Sequence, residues 1–312
     1  MSRPLRAGAE EYVAMRCALG HQMGNADTLM RFVAWCEARQ IETVTTEAAL
    51  VWASQEGRSS PQWKAQKLSM VRGLARHLAW TDPATQVPPA GLAPGGLFRP
   101  VPFIFTDAQV EDLISACRQV RMKPGKPGAC AFLIGLLAAT GMRISEACGL
   151  DVSDIGRADL PHGQAATTLA IRHAKNGSAR TIPLHPTTAQ AVLRRAADMP
   201  AGPEPMPLIS VAGNRFKPSA LRNHIWPQLL AAAGIDTEPV RPRIHCLRHC
   251  FAVKSLVSWY RTGAPDIDAR IGWLSAYLGH ANPANTYWYL QAVPELMALA
   301  AARAAKPWGT EQ

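Results

Sequence analysis

The sequence predicts a mostly α-helical protein with a small antiparallel β-sheet, built as a helical N-terminal domain followed by a larger α+β domain. Three observations predict this. Apolar residues recur at helical spacing through most of the chain. Two short alternating runs, Thr168–Arg172 and Arg180–Leu184, flank Lys175-Asn176-Gly177. Asn-Gly between two such runs is the strongest short hairpin signal. Between Thr81 and Pro102 the periodicity gives way to prolines and glycines (Pro83, Pro88, Pro89, Gly91, Pro94, Pro100), the composition of a semi-rigid linker. At 312 residues with 48% hydrophobic, the chain can hold two domains and a sizeable core in the larger one. The expected boundaries are 1–82 for the helical domain, 83–102 for the linker and 103–312 for the α+β domain.

In the first domain, Asn25 or Asp27 can cap a helix whose Leu29, Phe32, Val33 and Cys36 form an apolar face. Ser60-Pro61 starts another, with proline in the first turn, running to about Trp80. Its inward residues are Leu68, Val71, Leu74, Ala75 and Leu78. It also carries Lys64, Lys67, Arg72 and Arg76 and no acid, which suits either a solvated face or a helix lying along phosphates. In the second domain, Thr106-Asp107 caps a helix through Cys117. Ala129 to Thr140 reads as a buried helix, and a short one follows Gly141, from near Ser145 to near Gly149. After the hairpin the pattern is helical again from Pro186. Leu278-Gly279 reads as a helix ending on a glycine C-cap, and Pro294 opens a short amphipathic tail helix.

The formal net charge is +10, with a pI near 9.6, which favours a polyanionic partner: nucleic acid or an acidic membrane surface. Most of the excess, +8, falls on residues 96–312. The first twenty residues contain acids and no apolar core, and no run of about 18 apolar residues could cross a bilayer. Seven cysteines, an odd number without framework spacing, sit mostly among apolar residues, as reduced thiols do in a cytosolic protein.

Four polar clusters carry the chemistry. Arg143 follows Thr140-Gly141-Met142 where a buried helix ends; its guanidinium fork matches two phosphate oxygens, or pairs with Glu146 three residues on. Lys175 at the hairpin tip could give a proton to a leaving alkoxide, or could be a solvated turn residue. His245 and Arg248 project from one helical face and can meet one anion. His245, Cys246, His249 and Cys250 also suggest zinc. However, the glutamate of the His-Glu-x-x-His hydrolase motif is absent, and a consecutive His-Cys pair on a helix points about 100° apart. His280 is followed nine residues later by Tyr289, whose phenol needs hydrogen bonds and nearby positive charge to become a nucleophile. Tyr287, Trp288 and Tyr289 read equally well as an aromatic cluster packing the last helices.

Taken in order, these segments resemble the catalytic domain of the tyrosine recombinase (phage integrase) family. The matching pieces are Thr140-Gly141-Met142-Arg143-Ile144-Ser145-Glu146-Ala147, the strands around Lys175 ending in Thr181-Ile182-Pro183-Leu184, His245-x-Leu247-Arg248-His249, and Leu278-Gly279-His280 with Tyr289. The basic helix before the linker is similar to the last main helix of that family's SAM-like core-binding domain. The resemblance covers nearly the whole chain.

The resemblance implies that Arg143 and Arg248 bind the scissile phosphate and that Lys175 protonates the departing 5′ oxygen, with Arg172 a weaker rival. His245 would bond the phosphate and help move the tyrosine's proton, and His280 would steady a non-bridging oxygen. Tyr289, favoured over Tyr287 by its spacing from His280, would form a 3′-phosphotyrosyl link. It implies no cofactor, metal or ATP, double-stranded DNA as partner, and a cytoplasmic, nucleoid-associated place in a bacterium. The tail helix is expected to dock on a neighbour within a tetramer, or else to fold on its own domain. No further domain is evident before the helical one, which suggests a simple recombinase of the resolving or mobile-element kind. A type IB topoisomerase and a non-catalytic DNA-binding regulator are the competing functions.

Overall fold

The structure, a computed structural model, describes residues 4–21, 23–55, 60–93, 101–123, 125–159, 165–172, 179–199 and 205–305. The chain divides into two compact units, Met1–Pro100 and Val101–Gln312.

The first unit holds four helices: α1 (Leu5–Ala18), α2 (Ala26–Glu37), α3 (Thr46–Ser54) and α4 (Pro61–Leu78). The starts of α3 and α4 follow from local chemistry. Asn25 precedes α2. Thr45 accepts from the Ala48 amide to cap α3, and Ser60 accepts from the Trp63 amide to cap α4, with Pro61 in the first turn where a missing N–H costs nothing. Phe32, Val33, Trp52, Leu68, Val71 and Leu74 form the core. Residues 83–93 are more than a connector. The Gln86 amide donates to the Val44 carbonyl, the Thr46 amide to Gln86 Oε1, and Arg72 to the carbonyls of Pro88 and Pro89, each at 2.7 Å. The start of the proline-rich stretch therefore folds with the helical unit, so the compact unit extends past residue 82.

The basic face expected on α4 breaks up. Lys67 is only 2% exposed, with its ammonium 5.0 Å from the centre of the Trp52 ring. A cation over an aromatic face is attracted by the ring quadrupole, and the lysine stem packs as an apolar side chain. Arg72 is spent on the Pro88 and Pro89 carbonyls. Lys64 is half-buried and Arg76 exposed.

The second unit begins with α5 (Asp107–Gln119), capped reciprocally by Thr106 and Gln109. α6 (Lys126–Thr140) is the buried helix, with Leu133, Ile134 and Leu137 inside. It ends on Gly141 at φ +62°, and α7 (Ile144–Gly149) follows. A three-stranded antiparallel sheet comes next, in the order β1 (Ile155–Asp159), β2 (Ala165–Ile171), β3 (Arg180–Pro183). Its register pairs Ile155 with Leu169 and Leu169 with Ile182, all on one face. Then come α8 (Pro186–Ala197) and a small hairpin of β4 (Ser210–Val211) and β5 (Asn214–Arg215). A helical rod follows, made of α9 (Pro218–Ala220), a π turn over Leu221–Ile225, and α10 (Trp226–Ala232). The last four helices are α11 (His245–Arg261), α12 (Ile267–Leu278), α13 (Ala284–Ala292) and α14 (Pro294–Ala304). The first strand, β1, has no counterpart among the runs expected from sequence.

Gly141 is required by its position. A Cβ there would meet Phe251 Cδ1 at 2.5 Å, and the positive φ disfavours any L side chain. Gly141→Ala should destabilise the second unit by about 1–3 kcal/mol from backbone strain alone, with the clash adding to it. Gly213→Ala, also at positive φ (+76°) but with nothing within 4 Å, isolates the strain component; urea denaturation of both variants checks the difference.

The tail helix takes the in-chain one of the two expected arrangements. Leu296 of α14 is fully buried in one cluster with Leu256, Ile271, Leu278 and Tyr289, and Glu295 pairs with Arg261 of α11 at 2.6 Å. In this single chain α14 is seated on its own domain, where Leu296 packs with the α11–α13 core.

Candidate active site

The site is organised by the C-terminal end of α12. A helix leaves its last carbonyls without intrahelical partners and concentrates partial negative charge there. The turn closes on Gly279 at φ +69°, with the Gly279 amide on the Ala276 carbonyl and the His280 amide on the Ser275 carbonyl. Three consecutive carbonyls are then each taken by a different arginine. Arg180 Nε donates to Tyr277 O at 2.8 Å, Arg248 Nη2 to Leu278 O at 2.7 Å, and Arg143 Nη2 to Gly279 O at 3.0 Å. Arg248 also donates to Gly141 O at 2.9 Å, so it joins the ends of α6 and α12. Gly279 has to be small because a Cβ there would lie 2.7 Å from the Arg180 guanidinium.

Glu146 holds two of these arginines. Its side chain has no exposed surface, and it accepts from Arg143 Nη1 at 2.7 Å and from the Arg143 amide at 2.9 Å. Arg180 binds both of its oxygens, at 3.1 and 2.8 Å. Burial pushes the Glu146 carboxyl up, but the hydrogen bonds from Arg180 and Arg143 outweigh it and hold it below the usual carboxylate range. Arg248 differs. It is 2% exposed, and among the described residues no carboxylate pairs with it. Burial, and then Arg143, push it down to about 10, partly opposed by Glu146 and Tyr289, so it stays charged at neutral pH. A buried cation whose partners among the described residues are carbonyls attracts an anion.

Tyr289 completes the group. It is 2% exposed, packed among Leu256, Leu278 and Leu296, and its hydroxyl lies 2.7 Å from His249 Nδ1. His280, on the turn after α12, is tied through Nδ1 to Thr286 Oγ1 at 2.8 Å, which links that turn to the helix of Tyr289. His245 is exposed at the start of α11, its ring 4.8 Å from that of His249 at 86°. Tyr287 is 40% exposed, and its hydroxyl faces Asp268 at 3.4 Å. Partial burial and that carboxylate both push its phenol up. A cleft of about 680 Å³ opens beside Arg248 and His245, with Arg222, Arg241 and Arg243 on its rim and Met142 and Trp226 in its wall.

Arg143, Arg248, His245, His280 and Tyr289 are thus brought to one corner of the second unit. Lys175 lies outside the described residues. Arg172 is committed elsewhere, to Asp151 and Asp154 at 2.6 and 2.7 Å. Cys246 and Cys250 are buried; burial pushes both thiols up, that of Cys250 to about 11, and Cys250 accepts from the Phe105 amide. Among the described residues no cluster of His, Cys, Asp or Glu is arranged to hold a metal ion. Sequence reading gave Arg180 no site role, and it named His249 only within the family motif and as a zinc candidate four residues after His245.

A phenol held beside clustered guanidiniums and imidazoles is the arrangement that attack on a phosphodiester by a tyrosine would need. The sequence profile described as the phage integrase family matches residues 104–295. A protein of Sinorhizobium fredii named as an integrase/recombinase, y4rB, is 34% identical over 97% of this chain and 98% of its own length. The tyrosine recombinase XerD of Caulobacter vibrioides is 29% identical over 77% of this chain and 73% of its own. The solved structure of the Tn1549 transposon integrase with transposon right-end DNA superposes with a TM-score of 0.61 at 16% identity, covering 96% of this chain and 99% of that one. The chain belongs to the phage integrase family and is a tyrosine-type, site-specific DNA recombinase.

Proposed function

We propose that Tyr289 cleaves double-stranded DNA and keeps the 3′ phosphate as a phosphotyrosine. A 5′ hydroxyl from another strand then reverses the step without ATP. The observation that carries this reading is the set of three arginines on the end of α12 beside a buried, hydrogen-bonded tyrosine. Arg143 and Arg248 present N–H groups to the non-bridging oxygens, where charge builds in the pentacovalent transition state. His245 and His280 bond the same phosphate, and Lys175 gives the proton to the leaving 5′ oxygen.

The first unit serves as the DNA-gripping domain, with Lys64 and Arg76 on phosphates. Arg72 has a structural task and Lys67 is unsuited to the role. Four chains act on two duplexes, so α14 must exchange its own domain for a neighbour's when the assembly forms. Whole-length similarity to y4rB and superposition on a transposon integrase favour a mobile element as the setting, within the bacterial nucleoid.

The test is to incubate the protein with fragmented genomic DNA, denature, and recover DNA that stays attached to protein. The expected product is a discrete site with the protein on a 3′ phosphate and a free 5′ hydroxyl. Recovery of no adduct, or of one on a 5′ phosphate, would overturn the reading.

A further inference from the structure

We propose that His249 is the catalytic base of Tyr289: it holds the phenol and takes its proton as the oxygen attacks phosphorus. This rests on the recombinase reading above and adds a residue to it.

The geometry carries the proposal. His249 Nδ1 lies 2.7 Å from the Tyr289 hydroxyl, within the range for an O–H donor. The two rings meet at 64° with centres 5.6 Å apart, and Trp288 stands 5.9 Å from the same imidazole. The tyrosine is 2% exposed, so bulk water is a poor acceptor for its proton, and the base has to come from the protein. His280 has Nδ1 engaged with Thr286. His245 is exposed at the mouth of the cleft, where a phosphate would be met.

The helix explains the division of labour. Arg248 and His249 are consecutive on α11, so their side chains leave the axis about 100° apart. One turns to the ends of α6 and α12, where the phosphate is held; the other turns to α13, where the nucleophile is held. A single rigid helix thereby fixes the direction from nucleophile to phosphorus.

The step balances. With the phenol as donor, neutral His249 carries its own proton on Nε2 and offers the Nδ1 lone pair. The O–H bond of Tyr289 breaks and the proton goes to Nδ1, giving an imidazolium. The phenolic oxygen bonds to phosphorus, the bond from phosphorus to the 5′ oxygen breaks, and that oxygen takes a proton from the general acid. On rejoining, the Nδ1 proton returns to the departing phenol.

The probe is a nicked duplex carrying the DNA sequence recovered from the adduct, on which cleavage by the full-length protein becomes irreversible. Adduct formation by the wild type is the reference and by itself upholds the recombinase reading. His249→Ala should slow it by about 100-fold or more, the usual worth of a positioned base, while binding the same duplex in a gel shift as the wild type does. Added imidazole should restore part of the rate in this variant. His249→Asn leaves an oxygen near the place of Nδ1 that can accept the hydrogen bond but cannot take the proton; it should fold, bind DNA and remain slow. Wild-type rates in either variant overturn the proposal, since His249→Asn at full rate would reduce His249 to a spacer. Should His249→Ala unfold, the rate of His249→Asn alone decides between base and spacer.

Discussion

Tyr289→Phe abolishes the covalent adduct, while Tyr287→Phe leaves it within a few-fold of wild type. The two phenols are two residues apart, yet their surroundings are opposite. Tyr289 is enclosed, bonded to an imidazole and within the field of Arg248; Tyr287 is 40% exposed and faces a carboxylate. A nucleophile needs its anion stabilised, and Asp268 does the reverse. Removal of the attacking oxygen should cost at least about 10⁴-fold in adduct formation, the scale of losing a covalent nucleophile. Only about 1 kcal/mol of stability should go with it, the worth of one hydrogen bond. An adduct that survives in Tyr289→Phe and vanishes in Tyr287→Phe would move the nucleophile to the exposed position.

Glu146→Ala should be the most damaging substitution to the fold of the site. The carboxylate is shared by two arginines whose side chains are only 20% and 12% exposed. Its loss leaves two largely buried guanidiniums without their counter-charge, and breaking a buried pair in this way costs about 3–5 kcal/mol. Glu146→Gln keeps an accepting oxygen and should cost less. The sign of the pH dependence follows from the depressed carboxyl. Its stabilisation is fully present above about pH 4.3, the value of an unfolded glutamate. It is lost as pH falls through the lower folded value. Urea unfolding across this range should show the gap between wild type and Glu146→Gln closing on acidification. A gap that widens would mean that Glu146 is protonated in the native state. Adduct formation should fall in both variants, because the Arg143 guanidinium loses the group that orients it.

Helix ends and turns were readable because single residues set them. Ser60-Pro61, Thr106 with Gln109, Gly141 and Gly279 each impose a backbone conformation or satisfy a terminal amide, and each boundary lies where that chemistry places it. The place of several polar motifs was readable for the same reason: Arg143, His245 and His280 stand where a helix starts or has just ended. What escaped is long-range. Arg180 meets Glu146 across 34 residues and Tyr277 across 97, and nothing in a strand-starting arginine announces either partner. β1 pairs with a strand already recognised but carries Gly156, Arg157 and Asp159, too polar to read as a strand.

Lys67 shows where charge misleads. It precedes Val71 by four residues and Leu74 by seven, so it occupies the buried stripe of α4, and periodicity outranks residue type there. The docking of α14 could not be settled by pattern, since an amphipathic helix presents the same face to its own core or to another's.

The three carbonyls at the end of α12 bear on how the enzyme loses activity with heat. Helix termini normally open first, at little free-energy cost, while the core stays folded. Here such an opening would take one carbonyl from each of Arg180, Arg248 and Arg143 at once, leaving the first and last on Glu146 and Arg248 on Gly141 O. If Arg143 and Arg248 hold the phosphate as proposed, fraying of the last turn of one helix would disturb all three arginines at once, and adduct formation is expected to fail at a temperature below the melting of the domain that carries it.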